Sequence, residues 1–288
     1  MKFVQLDVFA DAAFRGNPLA VFPEAAGLSP SQMQAIASEM NLSETTFVTS
    51  HDRDSYDVRI FTPTEELGFA GHPTLGTAWV LRHLGLVRSD ELTQRSRAGE
   101  TRVRLDASLV WFIRTGHAGG DEDDVHPEYS LWLARGLGVD SSSVGLEARE
   151  LGRSGRLRPA FADAGLRHLM VPLRDLDALG RIRLEPSALP DVSPGGFYCF
   201  TAVQAGRVRA RGFFPGVGVS EDPGTGSAAA DLGLYFADRI GPIDLEVVQG
   251  VEMGRLSRLH VSAKPGTVQV GGACLLVFEG KLAALPAE

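Results

Sequence analysis

A chain of 288 residues is longer than one core requires and long enough for two domains of ordinary size. With 44% hydrophobic and 22% charged residues it buries a core and is not a disordered segment. The formal charge of −8 excludes an extended phosphate-binding surface, and the short basic stretch at residues 153–158 does not reverse it, so nucleic acid is not expected as a partner.

No apolar run reaches the roughly 18 residues of a membrane helix, and Asp7 and Asp11 interrupt the hydrophobic residues near the start of the chain. A cytoplasmic protein without a membrane partner is expected. Cys199 and Cys274 lie too far apart in sequence for a CxxC pair or a zinc cluster and are read as small buried apolar residues.

In chain order, "KFVQLDVFA" alternates as a half-buried strand does, and "GNPLAVF" supplies a turn and a second strand. "LSPSQMQAIASEM" reads as the first helix, with Ser29 as N-cap and Pro30 in the first helical position. Strands follow at "TTFVTS" and "SYDVRIFTP", then a buried helix at "TAWVLRHLGL" and a strand-rich tract over residues 101–116. The acidic, turn-rich segment at residues 117–128 marks a boundary near Gly116, giving domains over 1–116 and 117–288. A helix at "EYSLWLARGLGV" and several short strands come next.

Two stretches resemble each other. "VRIFTP…AGHPTLGTA" and "RARGFFP…EDPGTGSAA" both read strand, Phe and Pro, gap, Gly/Pro turn and small-residue helix, which predicts a duplicated unit with residues 71–78 matching 223–230. Chance likeness of turn composition is the competing explanation. A helix that opens on small residues leaves backbone N–H groups and partial positive charge available to an anion, so two such turns suit a small carboxylate. Tight turns and close packing at Gly76, Gly224 and Gly226 are the plainer reading. Gly224, Gly226 and Ala229, with Asp244 downstream, also fit a dinucleotide-binding fingerprint, but no strand leads directly into the first glycine.

Five blocks, "FRGNPLAVF", "NLSETTFV", "RIFTPTEELGFAGHPTLGTAWVL", "EDPGTGSAAADLGLYF" and "VVQGVEMGRLSRLHV", together resemble the phenazine-biosynthesis PhzF-like family of the diaminopimelate-epimerase superfamily. The resemblance implies an α+β fold of two similar domains, each a curved, mostly antiparallel sheet wrapped around a central helix, with the active site between them. It implies Glu44 as general acid/base, His72 as a partner able to donate or accept a proton, and Asp222 as the residue that binds substrate and orients the catalytic groups. It also implies that Ser227 contacts substrate and that the N–H groups of Gly71 and of Gly226 or Ser227 grip its carboxylate.

The residues alone leave plainer roles for each: a solvated loop acid for Glu44, a turn histidine for His72, a helix cap for Asp222. A buried carboxylate would shift toward neutrality, as proton shuttling requires. No thiol stands at either turn, so a two-cysteine racemisation is ruled out on residue identity. Asn17, although in a family-like position, is read as a turn residue and left outside the catalytic set. His117, Asp121, Glu122, Asp123, Asp124 and His126 are read as a solvated acidic loop and not as a metal site.

The resulting expectation is a cofactor-independent isomerase acting on a small carboxylate-bearing metabolite, with no metal and with pairing into a homodimer left open. A non-catalytic carboxylate-binding protein of the same fold and a nucleotide-dependent oxidoreductase are the alternatives.

Overall fold

The computed structural model describes residues 1–118, 127–189 and 195–287. The chain divides into unit 1, Met1–Ile113 with Gly271–Glu288, and unit 2, Arg114–Val270. Unit 1 contains β1 (Lys2–Val8), β2 (Asn17–Phe22), α1 (Pro30–Met40), β3 (Glu44–His51), β4 (Ser55–Phe61), β5 (Glu66–Leu67), α2 (Gly71–His83), β6 (Glu91–Ser96), β7 (Gly99–Leu105) and most of β8 (Val110–Thr115). Unit 2 carries α3 (Pro127–Leu137), the small hairpin of β9 (Leu146–Glu147) and β10 (Arg156–Leu157), then β11 (Ala160–Asp163), β12 (Arg167–Pro172) and α4 (Leu176–Arg181). It continues through β13 (Phe197–Gln204), β14 (Arg207–Phe214), β15 (Val219–Asp222), α5 (Gly226–Ile240), β16 (Ile243–Gln249), β17 (Ser257–Lys264) and β18 (Thr267–Gly272). The last strand, β19 (Cys274–Lys281), pairs antiparallel with β1 from Val8↔Cys274 to Lys2↔Lys281. Residues 271–288, expected in the second domain, therefore belong to unit 1. No local pattern in the sequence reports a pairing between the first and last strands.

The two units repeat one topology. In unit 1, β1 and β2 are antiparallel, β2 and β3 parallel, β3 and β4 antiparallel, β4 antiparallel to β5 and parallel to β6, and β6 antiparallel to β7. In unit 2 the same order of directions runs through β11, β12, β13, β14, β15, β16 and β17. The parallel steps span helices at matching places, α1 and α2 in one unit and α4 and α5 in the other.

Side chains repeat as well. Arg59 forks onto Glu66 through Nε and Nη2 at 2.9 and 2.7 Å, and Arg211 forks onto Glu221 at 2.8 Å through both nitrogens. Each guanidinium also lies over a phenylalanine two residues on, Arg59 over Phe61 at 5.2 Å and Arg211 over Phe213 at 4.9 Å. The sequence match of residues 71–78 with 223–230 nonetheless needs correction. The helices themselves begin at Gly71 and Gly226, three residues beyond the expected register, because the 3₁₀ turn Pro215–Val217 adds one short turn ahead of β15.

Each central helix is buried along nearly its whole length. Small residues make this possible: a Cβ on Gly76 would stand 2.5 Å from Leu19 Cδ2 and 2.9 Å from Val8 Cγ2, so only glycine lets α2 lie this close to β1 and β2. The first helix follows local rules. Ser29 Oγ accepts from Gln32 N at 3.3 Å while Gln32 Oε1 accepts from Ser29 N at 3.0 Å, a reciprocal capping box with Pro30 inside it. No helix among the described residues is long and apolar enough to cross a membrane. Residues 121, 122, 123, 124 and 126 of the acidic loop lie outside the described residues. Among the described residues no group of three or more metal-ligating side chains gathers.

Candidate functional site

In unit 1 the site is assembled by two chain reversals. Helix α1 ends where Asn41 takes a left-handed conformation (φ 49°), and three residues later β3 begins on Glu44, so this acid occupies the first position of a strand and not a loop. The other reversal follows β1. There Asp7, 2% exposed, accepts the backbone N–H of Phe14 at 2.6 Å, and Gly16 at φ 72° lies so close to the backbone that a Cβ would sit 2.3 Å from the Val8 carbonyl oxygen. The turn delivers Asn17, fully buried, to the start of β2.

His72, the second residue of α2, closes the group. Its Nδ1 is 3.1 Å from Asn17 Nδ2 and its Nε2 is 3.5 Å from Glu44 Oε2, with side-chain exposures of 4% for His72 and 17% for Glu44. The structure thus brings Glu44 and His72 together and adds Asn17, which the sequence reading had set aside. Burial pushes the His72 imidazole down to about 3, against a smaller opposing pull from the Pro18 carbonyl, so the ring is neutral at physiological pH.

This has a measurable consequence. An imidazole with an ordinary value of 6.5 when unfolded and about 3 when folded contributes stability above pH 6.5 that is lost as pH falls through 3. The loss amounts to about 5 kcal/mol over that window. Urea unfolding of wild type and His72→Gln at pH values from 7 to 3 is expected to show wild type losing its lead as the pH falls; a constant difference would show that the ring is not desolvated.

In unit 2, Asp222 ends β15 and is 6% exposed. It is not the N-cap of α5. That position belongs to Thr225, whose hydroxyl donates to Asp222 Oδ2 at 2.5 Å and whose side chain makes no capping bond. The sequence reading of Asp222 as a cap is corrected accordingly: the acid lies four residues ahead of the helix and accepts the hydroxyl of Thr225, the residue in the N-cap position. Gln249 ties the turn down. Its Nε2 donates to the Asp222 carbonyl at 2.7 Å and to Thr225 Oγ1 at 3.0 Å, while its Oε1 accepts from Thr225 N at 3.1 Å and from the Tyr198 hydroxyl at 2.8 Å.

A parallel arrangement stands in unit 1. The Tyr56 hydroxyl donates to Gln94 Oε1 at 3.0 Å, Gln94 Nε2 donates to Thr74 Oγ1 at 3.0 Å, and that hydroxyl donates to the Ala70 carbonyl at 2.8 Å. Gln249 occurs in one of the five family-like blocks, yet a lone glutamine in a strand gives no signal of its role without its partners 24 and 51 residues away.

Gly71 and His72 precede the first intrahelical donor of α2, Thr74, which bonds the Ala70 carbonyl at 3.3 Å. Gly226 and Ser227 hold the equivalent places before Ala229, which bonds Thr225 at 2.9 Å. Their N–H groups lie in the first turns, where the helix itself provides no acceptor. The glycine pattern of a dinucleotide site has the wrong setting here: β15 before it runs antiparallel to β14, and Asp244 is solvent-exposed. Cys199 and Cys274 are buried, and burial pushes both thiols up.

Two units of one topology, each with a carboxylate near the start of a buried central helix, define an α+β fold built by repetition. The chain belongs to the phenazine biosynthesis-like protein family, whose model matches residues 6–280. It is 36% identical over 283 residues to an uncharacterized isomerase of Pasteurella multocida, covering 96% of this chain and 92% of that one. It is 36% identical over 275 residues to trans-2,3-dihydro-3-hydroxyanthranilate isomerase of Pseudomonas fluorescens, covering 91% and 90%. The crystal structure of a PhzF-family phenazine biosynthesis protein from Bacillus anthracis matches the fold with a TM-score of 0.80 at 23% identity, over 99% of both chains. The protein is an enzyme of the isomerase class.

Proposed function

We propose that this isomerase moves a proton between two carbons of a small, cyclic, carboxylate-bearing metabolite, without a cofactor, and that Glu44 is the group that takes the proton and returns it. The observation that carries this reading is the placement of the Glu44 carboxylate 3.5 Å from a buried, neutral His72, in a chain whose relatives are named isomerases. A carboxylate can serve as base and then as acid on one substrate face, and a neutral imidazole beside it exchanges hydrogen bonds without adding a fixed charge. The first-turn N–H group of Gly71, in the same unit as Glu44 and His72, binds its carboxylate.

The relative from Pseudomonas fluorescens supports a ring substrate of the dihydro-hydroxyanthranilate type. The test is to incubate the purified protein with trans-2,3-dihydro-3-hydroxyanthranilate and with a panel of cyclic and amino carboxylates, in the absence of added metal or nucleotide. Thermal stabilisation by a ligand identifies the class that binds. Product with the mass of the substrate and a shifted double bond is expected; a requirement for NAD(P)H or for a divalent metal would overturn the cofactor-free reading.

A further inference from the structure

A buried carboxamide can sit either way round, and its neighbours decide which end is oxygen. For Gln249, fully buried at the end of β16, two backbone groups decide it. The Asp222 carbonyl, 2.7 Å away, only accepts, so the atom facing it is the nitrogen. The Thr225 N–H, 3.1 Å away, only donates, so the atom facing it is the oxygen. With both ends fixed, the second Nε2 proton goes to Thr225 Oγ1 at 3.0 Å, and the Tyr198 hydroxyl gives its proton to Oε1 at 2.8 Å. Both protons and both lone pairs of the carboxamide are then used.

The direction carries on through Thr225. Among the described residues its hydroxyl has two partners, Gln249 Nε2 and, at 2.5 Å, Asp222 Oδ2, and it makes no capping bond to α5. Having accepted from Gln249, the hydroxyl has one proton to give, and Asp222 Oδ2 is the partner that remains to receive it. A protonated Oδ2 would strand that proton, whereas a carboxylate takes it in a charge-assisted bond. The relay of Tyr56, Gln94 and Thr74 in unit 1 ends on the Ala70 carbonyl, a group that cannot change its charge.

We infer that Gln249 is a positioning residue: acting through the Thr225 hydroxyl, it holds Asp222 as an ionised acceptor, the form that binds a hydroxyl or ammonium group of the substrate. This builds on the isomerase reading above and on the substrate-binding role that the family likeness implies for Asp222. The fold holds the relay in place. Gly250, at φ 75°, brings the end of β16 so close to the loop before α5 that a Cβ there would stand 2.6 Å from the Pro223 carbonyl oxygen.

The experiment follows the Asp222 carboxyl by ¹³C NMR in the whole protein as the pH is lowered from 7, with the signal assigned by its absence in Asp222→Asn. Thr225→Val removes the hydroxyl but keeps the branched shape and the N–H, and Thr225→Ser keeps the hydroxyl. Wild type is expected to be ionised at pH 7, Thr225→Val to titrate at a higher pH because the ionised form has lost a donor, and Thr225→Ser to return toward the wild-type midpoint. Gln249→Leu is expected to raise the midpoint as well, and adding Thr225→Val to it to raise it little further, since the two act in series. The charged groups on the flanking elements are the same in every variant: Glu221 of β15 forked by Arg211 of β14, and Glu252 paired with Arg209. Tyr198 of β13 is likewise retained, and the first turn of α5 has no acidic residue. On a substrate the enzyme turns over, Thr225→Val is expected to raise KM several-fold with kcat little changed, and Thr225→Ser to recover most of the loss. A wild-type Asp222 protonated at pH 7 would overturn the inference even if no variant folds. So would a folded Thr225→Val protein with an unmoved midpoint or an unaltered KM, or fully additive shifts from the two changes. None of the spectra requires turnover, so an inactive protein with the expected titrations would count against the proposed function and leave the relay standing.

Discussion

Glu44→Gln is expected to lower kcat by a factor of about 10² to 10⁴, the usual contribution of a positioned general acid/base, with little change in melting temperature. Glutamine keeps the length and one hydrogen-bonding oxygen of the side chain but has no proton to exchange. The residue begins β3 and is 17% exposed, so no buried charge network depends on it as one does on Asp231. The measurement pairs the rate of a turned-over substrate with thermal unfolding and with uptake of solvent deuterium into product. Normal turnover by the Gln variant would move the base elsewhere, with His72 next in line. A loss of activity that tracks a loss of folded protein would make Glu44 structural. Low deuterium incorporation by wild type is the expected sign of one carboxylate carrying the same proton out and back; full incorporation would mean that the proton exchanges with water or comes from a second acid.

What the sequence made legible was local. Ser29, Pro30 and Gln32 announce the start of α1 because a capping box involves only four consecutive residues. The runs of glycine and alanine at residues 71–78 and 226–230 mark the central helices, since few other segments could pack so closely on a sheet. Family-like blocks then led to Glu44 and His72, whose proximity the structure shows.

What stayed hidden depends on chain reversals and distant partners. The offset of three residues between the repeats comes from one 3₁₀ turn at Pro215–Val217, which looks like any Pro/Gly loop when read alone. Nothing local marks Asn17 as more than a turn residue, because its partner is 55 residues away. The pairing of β1 with β19 joins segments at opposite ends of the sequence, so no local pattern places residues 271–288 with unit 1. His168 belongs to no motif, and Asp231, although inside a family-like block, gives no sign of a partner 63 residues away.

That last pair is where the largest loss of stability is expected. Asp231 is the sixth residue of α5, as Gly76 is of α2, but where Gly76 meets Leu19 and Val8, Asp231 places a carboxylate in the interior of unit 2. The side chain is fully buried and accepts three hydrogen bonds: from Ala164 N at 2.7 Å, His168 N at 3.2 Å and His168 Nδ1 at 2.6 Å. Burial pushes its carboxyl up to about 6, and His168 is the strongest of the groups that pull it back. A buried, hydrogen-bonded pair of this kind adds little net stability over an apolar contact, yet breaking it is costly because the partners remain buried. Asp231→Leu leaves two backbone N–H groups and the His168 ring without their acceptor, and is expected to cost about 3–5 kcal/mol. His168→Leu should cost less, because the carboxyl retains both N–H donors and can take up a proton of its own. Denaturant unfolding of the two single variants and the double variant closes the cycle, and the double is expected to lose clearly less than the sum, since each single change strands what the other would remove. Additive losses would mean that the two side chains do not act as a pair, and an Asp231→Leu protein within about 1 kcal/mol of wild type would mean that water replaces the carboxylate, a result at odds with its complete burial.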